Sequence, residues 1–189
     1  IKKLGTIPDG GGWRAHGRGS APDRQAGVAR GRKTRAGANP GRGYSYLHHA
    51  VDDHSRLVYS EILGDEKKET AAGFWTRARG FFAGCGITVR QVMTDNGACY
   101  RSHTFADALG DGVEHRYTRP YRPQTNGKVE RFNRTLMTEW AYAKTYTSER
   151  ARQATYEEFV HEYNCHRAHT AIGGLTPQQR VHNVTGQYS

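Results

Sequence analysis

Two stretches of alternating apolar and polar residues predict a β-hairpin in the first half of the chain. Residues 44–51 alternate between aromatic or aliphatic and polar side chains, and residues 57–63 repeat this pattern. The segment Asp52-Asp53-His54-Ser55 between them consists of residues that favour turns. Alternation with a period of two on both sides of a short turn is typical of two antiparallel strands.

The apolar pattern then switches to the helical period and back. Residues 66–82 predict an amphipathic helix. Its apolar side consists of Ala71, Phe74, Trp75, Ala78 and Phe82. Residues 89–94 form a short apolar run that is typical of a buried strand. A helix over 102–109, capped by Ser102, and a brief strand over 115–118 are expected next.

The rest of the chain is predicted to be mainly helical. A helix capped by Thr125 runs to about Tyr142, with apolar residues at spacings of three and four. These residues are Val129, Phe132, Leu136 and Trp140. A last helix begins at Thr147 or Ser148 and continues through Tyr163. The order of elements indicates one mixed α/β domain over residues 1–189, with the sheet, helices and candidate site in 44–146 and a C-terminal helix and tail in 147–189.

The N-terminal segment follows a different pattern. Residues 1–7 predict the end of a first strand, and the chain opens with Ile1 rather than Met, so we expect that strand to be truncated. Residues 8–43 are rich in Gly and Arg and lack aliphatic periodicity. Such a composition cannot bury a core, so a long basic loop is expected there.

Net charge, cysteine spacing and the length of apolar runs limit the classes of protein to which this chain can belong. The chain of 189 residues has a formal net charge of +10, which points to a polyanion such as nucleic acid. Residues 1–42 hold ten Lys and Arg against two acids, so most of the excess lies in the N-terminal segment. The three cysteines show no paired spacing and predict no disulfide framework. No apolar run is long enough to span a membrane.

Two carboxylates among cations suggest a site for divalent metal and phosphate. Asp95 follows the apolar run over 89–94, at the strand end where open α/β sheets place their chemistry. Glu130 lies on the flank of the apolar side of the predicted helix that starts at Thr125. The two can meet only if a strand end and a helix pack together. Carboxylate oxygens are ligands for Mg²⁺, which in turn binds phosphate.

Each carboxylate also has an ordinary interpretation. Asp95 precedes Asn96-Gly97, and Asp-Asn-Gly is favourable turn chemistry. Glu130 could be a solvated residue paired with Arg134, one helical turn away. Composition alone does not choose between these interpretations and a metal site.

The residues from Asp95 to Glu130 resemble a known family. Thr94-Asp95-Asn96-Gly97 and the run from Pro120 to Phe132 are similar to the integrase core of bacterial insertion-sequence transposases, relatives of retroviral integrases. Residues 50–56 match the turn after the family's second strand. Residues 163–169 resemble its C-terminal signature, with Ala168 where a proline is usual.

The resemblance implies a ribonuclease-H-like α/β fold with a mixed five-stranded sheet flanked by helices. It also implies an Asp-Asp-Glu site that holds two Mg²⁺ or Mn²⁺ ions. Asp95 takes the place of the second acid and Glu130 that of the third. The first acid is expected immediately upstream of Ile1. Asp52 and Asp53 are less favoured substitutes, because they occupy the turn after the second strand.

The expected partner is DNA, both transposon ends and target, bound by a homo-oligomer in the bacterial cytoplasm near the nucleoid. Cations, amides and one aromatic residue around the acids suit contacts to phosphates with some base stacking. The residues expected to contact DNA are Asn96, Arg119, Tyr121, Arg122, Asn126, Lys128, Arg131 and Arg134, together with Arg30, Arg32, Lys33 and Arg35.

Two other functions share these features. A ribonuclease-H-like nuclease would use the same metal site without joining DNA, and a catalytically incomplete DNA-binding fragment of a transposase would keep only the basic surface.

A zinc site at Cys165, His166 and His169 lacks a fourth ligand. His48 and His49 alternate across a strand, so they cannot both face one metal.

Overall fold

The computed structural model describes residues 1–29, 43–118 and 127–183. Its first sheet contains three antiparallel strands, β1 (Lys2–Gly5), β2 (Tyr44–Val51) and β3 (Val58–Leu63), in the order β1-β2-β3. The hairpin between β2 and β3 and the strand at the start of the chain are confirmed, and β2 has the predicted bounds. The turn of the hairpin is closed by Asp52, which accepts hydrogen bonds from the Ser55 backbone N–H and hydroxyl, both at 2.7 Å.

The remaining two strands form a separate parallel pair. β4 (Gln91–Thr94) and β5 (Glu114–Tyr117) are in register from Gln91 opposite Glu114 to Thr94 opposite Tyr117. The expected five strands are therefore present, but in the described residues they form sheets of three and two. Apolar patterning predicts how many strands exist, whereas backbone pairing between distant strands depends on the tertiary structure.

β4 was expected to be buried, and this was wrong. Gln91 and Met93 are exposed, Met93 by 43%, whereas Val92 packs against the core. One face of β4 is covered and the other is open, which gives alternate burial instead of burial on both faces.

The N-terminal segment is not a loop throughout. α1 (Trp13–His16) and α2 (Ala21–Ala29) lie within it, and residues 30–42 lie outside the described part. In α2 the Ser20 hydroxyl accepts a hydrogen bond from the Asp23 backbone N–H, and Ala26 is buried. A short helix whose buried residues are the small Ala26 and Gly27 produces no aliphatic periodicity, which explains why the pattern missed it.

Helices cover the two faces of the first sheet. α3 (Lys68–Gly84) and α4 (His103–Leu109) pack on one side, and α5 (Gly127–Leu136) lies on the other, followed by a π-helical turn at Met137–Ala141. Ser102 caps α4 as predicted, since its side chain accepts from the Phe105 N–H. Within the described residues every helix is too short or too polar to span a bilayer.

The predicted last helix is divided in two. α6 (Glu149–Gln153) begins after its cap Ser148, and α7 (Tyr156–Cys165) follows a break at Ala154 and Thr155. The Thr155 hydroxyl accepts from the Trp140 indole N–H at 3.0 Å and donates to the Arg152 carbonyl at 2.9 Å, so its side chain competes with the helical backbone. The expected C-terminal tail also contains a 3₁₀ turn at Thr170–Ile172 and α8 (Pro177–Asn183).

The core consists of two clusters separated by the first sheet. Leu4, Leu47 and Phe132 belong to the cluster under α5 and α7. Leu57, Trp75 and Phe105 belong to the one under α3 and α4. Successive side chains of β2 enter opposite clusters.

Candidate active site

Asp95 lies just after β4 with an exposed side chain. Its Oδ1 accepts a hydrogen bond from the Gly97 N–H at 2.8 Å. A Cβ at position 97 would lie 2.9 Å from that oxygen, so only glycine allows this close approach. The neighbouring Asn96 donates from Nδ2 to the Thr118 carbonyl at 3.0 Å, which joins the ends of β4 and β5. Asp95 is therefore a turn residue whose carboxylate also points to solvent in a fixed orientation.

Glu130 occupies the first turn of α5, and its side chain is exposed. The apolar side predicted for this helix is confirmed by Phe132 and Leu136, which are fully buried. No ion pair with Arg134 exists among the described residues. Glu130 is thus held at the edge of a well-packed helix with its carboxylate available to a ligand.

The start of β1 lies beside Asp95. Burial lowers the pKa of the Ile1 amino group, and the negative charge of Asp95 opposes this effect, so the two groups lie within range of electrostatic interaction. Cys99 and Tyr100 belong to the same surroundings, and burial raises the pKa of both side chains. A residue joined to the Ile1 nitrogen would therefore lie near the Asp95 carboxylate.

The same strand end is connected to α5 through His49. Lys2 pairs with Leu47, so continuing the antiparallel register would place a residue before Ile1 opposite His49. The His49 ring meets Phe132 edge-on, with centroids 5.1 Å apart, and Asn133 is the next residue on α5. Burial, and secondarily the charge of the amino terminus, lowers the pKa of His49 to about 3. His49 and Asn133 were not singled out from the sequence, because their importance depends on this cross-strand register.

The described residues do not by themselves complete a metal site. They contain no group of three or more His, Cys, Asp or Glu side chains placed to hold a metal ion. Asp52 is engaged in its turn with Ser55, and Asp53 pairs with Lys128 at the start of α5. These contacts support a structural role for both acids.

The residues expected to contact DNA are only partly described. Arg119, Tyr121, Arg122 and Asn126, together with Arg30, Arg32, Lys33 and Arg35, lie outside the described residues. Arg131 and Arg134 are exposed on α5 beside Glu130, and Lys128 is exposed although paired with Asp53. Asn96 uses its side-chain amide to hold the Thr118 carbonyl.

In the described part of the chain, the residues considered for zinc do not come together in one group. His48 packs against Phe74 and His49 against Phe132, so the two face opposite sides as predicted. His169 packs on Tyr163, away from the other two residues of the considered zinc set. Those two, Cys165 and His166, both contact His161 instead. In the described part of the chain these three side chains are not placed to hold a metal ion.

Comparison with known proteins points to one family. Two models of the integrase core domain match the chain, one over residues 31–123 and the other over residues 111–177. The putative integrase ORF3 of Spiroplasma virus SpV1-C74 is 24% identical over 149 residues, 70% of this chain and 40% of that protein. The Pro-Pol polyprotein of Simian foamy virus type 3 (strain LK3) is 46% identical over 95 residues, 50% of this chain and 8% of that protein. The chain thus spans less than half the length of these relatives.

Solved structures share the fold. A chain of the simian T-cell lymphotropic virus intasome, in complex with PP2A regulatory subunit B56 gamma, matches with a TM-score of 0.58 and 25% identity over 74% of this chain and 49% of that one. The catalytic core domain of BIV integrase matches with a TM-score of 0.58 and 23% identity over 77% of this chain and 91% of that one. Residues 31–177 match the integrase core domain, and the chain has the fold of an integrase catalytic core.

Proposed function

We propose that this chain is the catalytic core of a DNA transposase of the insertion-sequence type, which cleaves DNA and joins the free 3′ end to a target. The observation that carries the proposal is the arrangement around the start of β1. Its amino group lies near the exposed carboxylate of Asp95, and its register leads through His49 to α5, which bears Glu130. The proposal requires that Asp95, Glu130 and an acid before β1 meet at this edge of the fold.

The donor chemistry of this edge fits a divalent metal ion. Asp95 and Glu130 supply exposed carboxylate oxygens, the ligands preferred by Mg²⁺ and Mn²⁺. Two acids are fewer than such a site needs, and an acid joined upstream of Ile1 would be the third. When bound, a pair of such ions would activate the attacking oxygen and stabilise the leaving one.

The protein residues contribute orientation and charge. The Gly97 N–H fixes one oxygen of Asp95, and the rigid packing of Phe132 and Leu136 fixes the helix that presents Glu130. Arg131 and Arg134, exposed on the same helix, would bind phosphates and hold the scissile strand in line with the attacking hydroxyl. Water attacks during end cleavage, and a DNA 3′-hydroxyl attacks during strand transfer. Neither step requires a covalent enzyme intermediate.

The test compares isosteric variants of the two acids in a chain extended upstream with an Asp before Ile1. Asp95→Asn and Glu130→Gln should each reduce Mg²⁺-dependent cleavage and joining by about 100-fold or more, because a charge that stabilises the transition state is removed. DNA affinity and thermal stability should change little. The matched control is Glu158→Gln, since Glu158 is exposed in the first turn of α7 as Glu130 is in α5.

The products separate this function from its alternatives. Joined DNA identifies a transposase or integrase, whereas Mg²⁺-dependent cleavage without joining identifies a nuclease of the same fold. DNA binding without any metal-dependent nicking in the extended chain would indicate a catalytically incomplete fragment. Unfolding of Asp95→Asn or Glu130→Gln would contradict the role of these acids as ligands.

A further inference from the structure

A second candidate site lies at the opposite end of β1 from Asp95. A cavity of about 250 Å³ opens there between the residues that follow β1, the short helix α1 and the segment after the π-helical turn. Trp13, Tyr142 and Tyr146 supply aromatic walls, and Arg14 and Lys144 supply positive charge.

The walls of this cavity combine aromatic rings with cations. The Arg14 guanidinium lies 5.5 Å from the Trp13 ring centroid and 5.6 Å from that of Tyr142, and it donates to the Tyr142 carbonyl at 3.0 Å. Arg18 lies 4.9 Å from the Trp13 ring, and Lys144 lies 5.4 Å from the Tyr146 ring. Trp13 is nevertheless 38% exposed. A large ring exposed among cations is the combination that binds nucleobases by stacking and their phosphates by charge.

Arg152 forms part of the cavity wall. Its side chain lines the cavity and is only 1% exposed. Nη2 donates to the Gly5 carbonyl at 2.9 Å and to Glu149 Oε2 at 2.7 Å, whereas Nε is buried with no hydrogen-bond partner in the described residues. Nε is too deeply buried for a ligand in the cavity to reach, so Arg152 contributes by holding the cavity wall in place through Gly5 and Glu149.

We propose that this cavity, here called the Trp13 pocket, binds one unpaired nucleotide of the DNA substrate. The base stacks on the exposed part of the Trp13 ring, and the adjoining phosphate contacts Arg14 and Lys144. This inference rests on the proposed function and adds a substrate feature to it.

The experiment measures Kd by fluorescence anisotropy for two labelled duplexes with the same number of phosphates, one fully paired and one with a single-nucleotide bulge. The wild-type chain should bind the bulged duplex roughly 5- to 100-fold more tightly, as expected for one stacked base. Trp13→Ala should remove this preference, and Trp13→Phe should keep part of it. Lys144→Ala should weaken the preference, whereas Arg90→Ala, which removes an exposed cation remote from the cavity, should leave the preference intact.

The outcomes of the binding experiment distinguish failure of the Trp13 pocket from failure of the proposed function. Equal binding of both duplexes by the wild-type chain, or a preference that persists in folded Trp13→Ala, would overturn the Trp13 pocket as a nucleotide site. Binding of the paired duplex would continue in that case, and the proposed function would stand. Failure to bind either duplex would instead count against the proposed function itself. Near-wild-type thermal unfolding of Trp13→Ala is expected, since its side chain belongs to neither core cluster.

Discussion

The orientation of the Asp95 carboxylate depends on the residue two positions later. Asp-Asn-Gly was predicted both as a turn and as part of a metal site, and the structure confirms the turn. The Gly97 N–H holds one carboxylate oxygen, while the side chain stays exposed. At the residue scale, the glycine therefore positions the acid and does not merely bend the chain.

Gly97→Ala tests this link in the extended chain. A Cβ would lie 2.9 Å from Asp95 Oδ1, so the carboxylate must move. We expect Mg²⁺-dependent cleavage to fall by about 10-fold or more, because the displaced Asp95 carboxylate would no longer be aligned in the proposed site. The melting temperature should change little. Gly64→Ala is the control, since a Cβ there meets nothing within 4 Å. Full activity of Gly97→Ala would show that the turn does not position the acid.

At the scale of the element, β2 separates the two core clusters and carries one histidine on each face. His48 Nε2 donates to the Asp65 carbonyl at 2.8 Å, and His49 Nδ1 lies 3.0 Å from the Ser60 hydroxyl. Burial lowers the pKa of both rings. The folded strand therefore keeps these histidines neutral at pH values where the unfolded chain binds protons.

The resulting prediction is acid sensitivity. Because the pKa of His49 is lowered to about 3 in the folded chain, its contribution is fully present above the unfolded value near 6.5 and diminishes as the pH falls below it. The free energy of unfolding should decrease by about 1–2 kcal/mol between pH 7.5 and 5 for this group. Urea denaturation should show a smaller decrease for His49→Phe. The exposed-site control His54→Gln should behave as the wild-type chain does, and an equal decrease in His49→Phe would contradict the assignment.

At the scale of the whole molecule, the net positive charge and the two candidate acids lie in different parts of the chain. Residues 1–42 hold ten Lys and Arg against two acids, which is +8 of the total net charge of +10, whereas Asp95 and Glu130 belong to the packed domain. Such a division suits a protein that gains DNA affinity from its N-terminal segment and chemistry from the fold.

The N-terminal cations should act on DNA affinity without sequence preference. Replacement of Arg30, Arg32, Lys33 and Arg35 by Ala should weaken binding to different duplexes to the same extent. The magnitude of the slope of log K against log salt should fall by about 0.9 for each phosphate that the variant no longer neutralises. Titrations at several salt concentrations measure this slope. An unchanged slope would assign these residues to another role, such as contacts between subunits.

An acid added before Ile1 should control the activity of the whole molecule. Residues 1–189 alone should bind DNA and show little strand transfer at physiological Mg²⁺, because two carboxylates leave the ion largely hydrated and weakly held. Adding an Asp before Ile1 should restore metal binding and joining together, and adding Asn there should not. Robust joining by residues 1–189 that disappears in Asp52→Asn would place the first acid in the β2–β3 turn instead.

The sequence by itself determined the elements whose signals are local. The hairpin of β2 and β3, the cap of α4 by Ser102, the apolar side of α5 and the division of His48 and His49 between two faces all follow from periodicity and turn chemistry, and the structure confirms them. The positions of Asp95 at a strand end and Glu130 on a helix flank were accessible in the same way.

The tertiary structure decided whatever depends on contacts between distant segments. The break in the last predicted helix at Thr155 depends on the hydrogen bond from the Trp140 indole. The division of the five strands into sheets of three and two depends on where the strands lie in the fold. The burial of Ala26 in α2 likewise depends on the fold around that helix. The proximity of the Ile1 amino group to Asp95, and the register that leads to His49, likewise join residues tens of positions apart. Local pattern carries no information on such distances, because periodicity reports which face a residue occupies and not what packs against it.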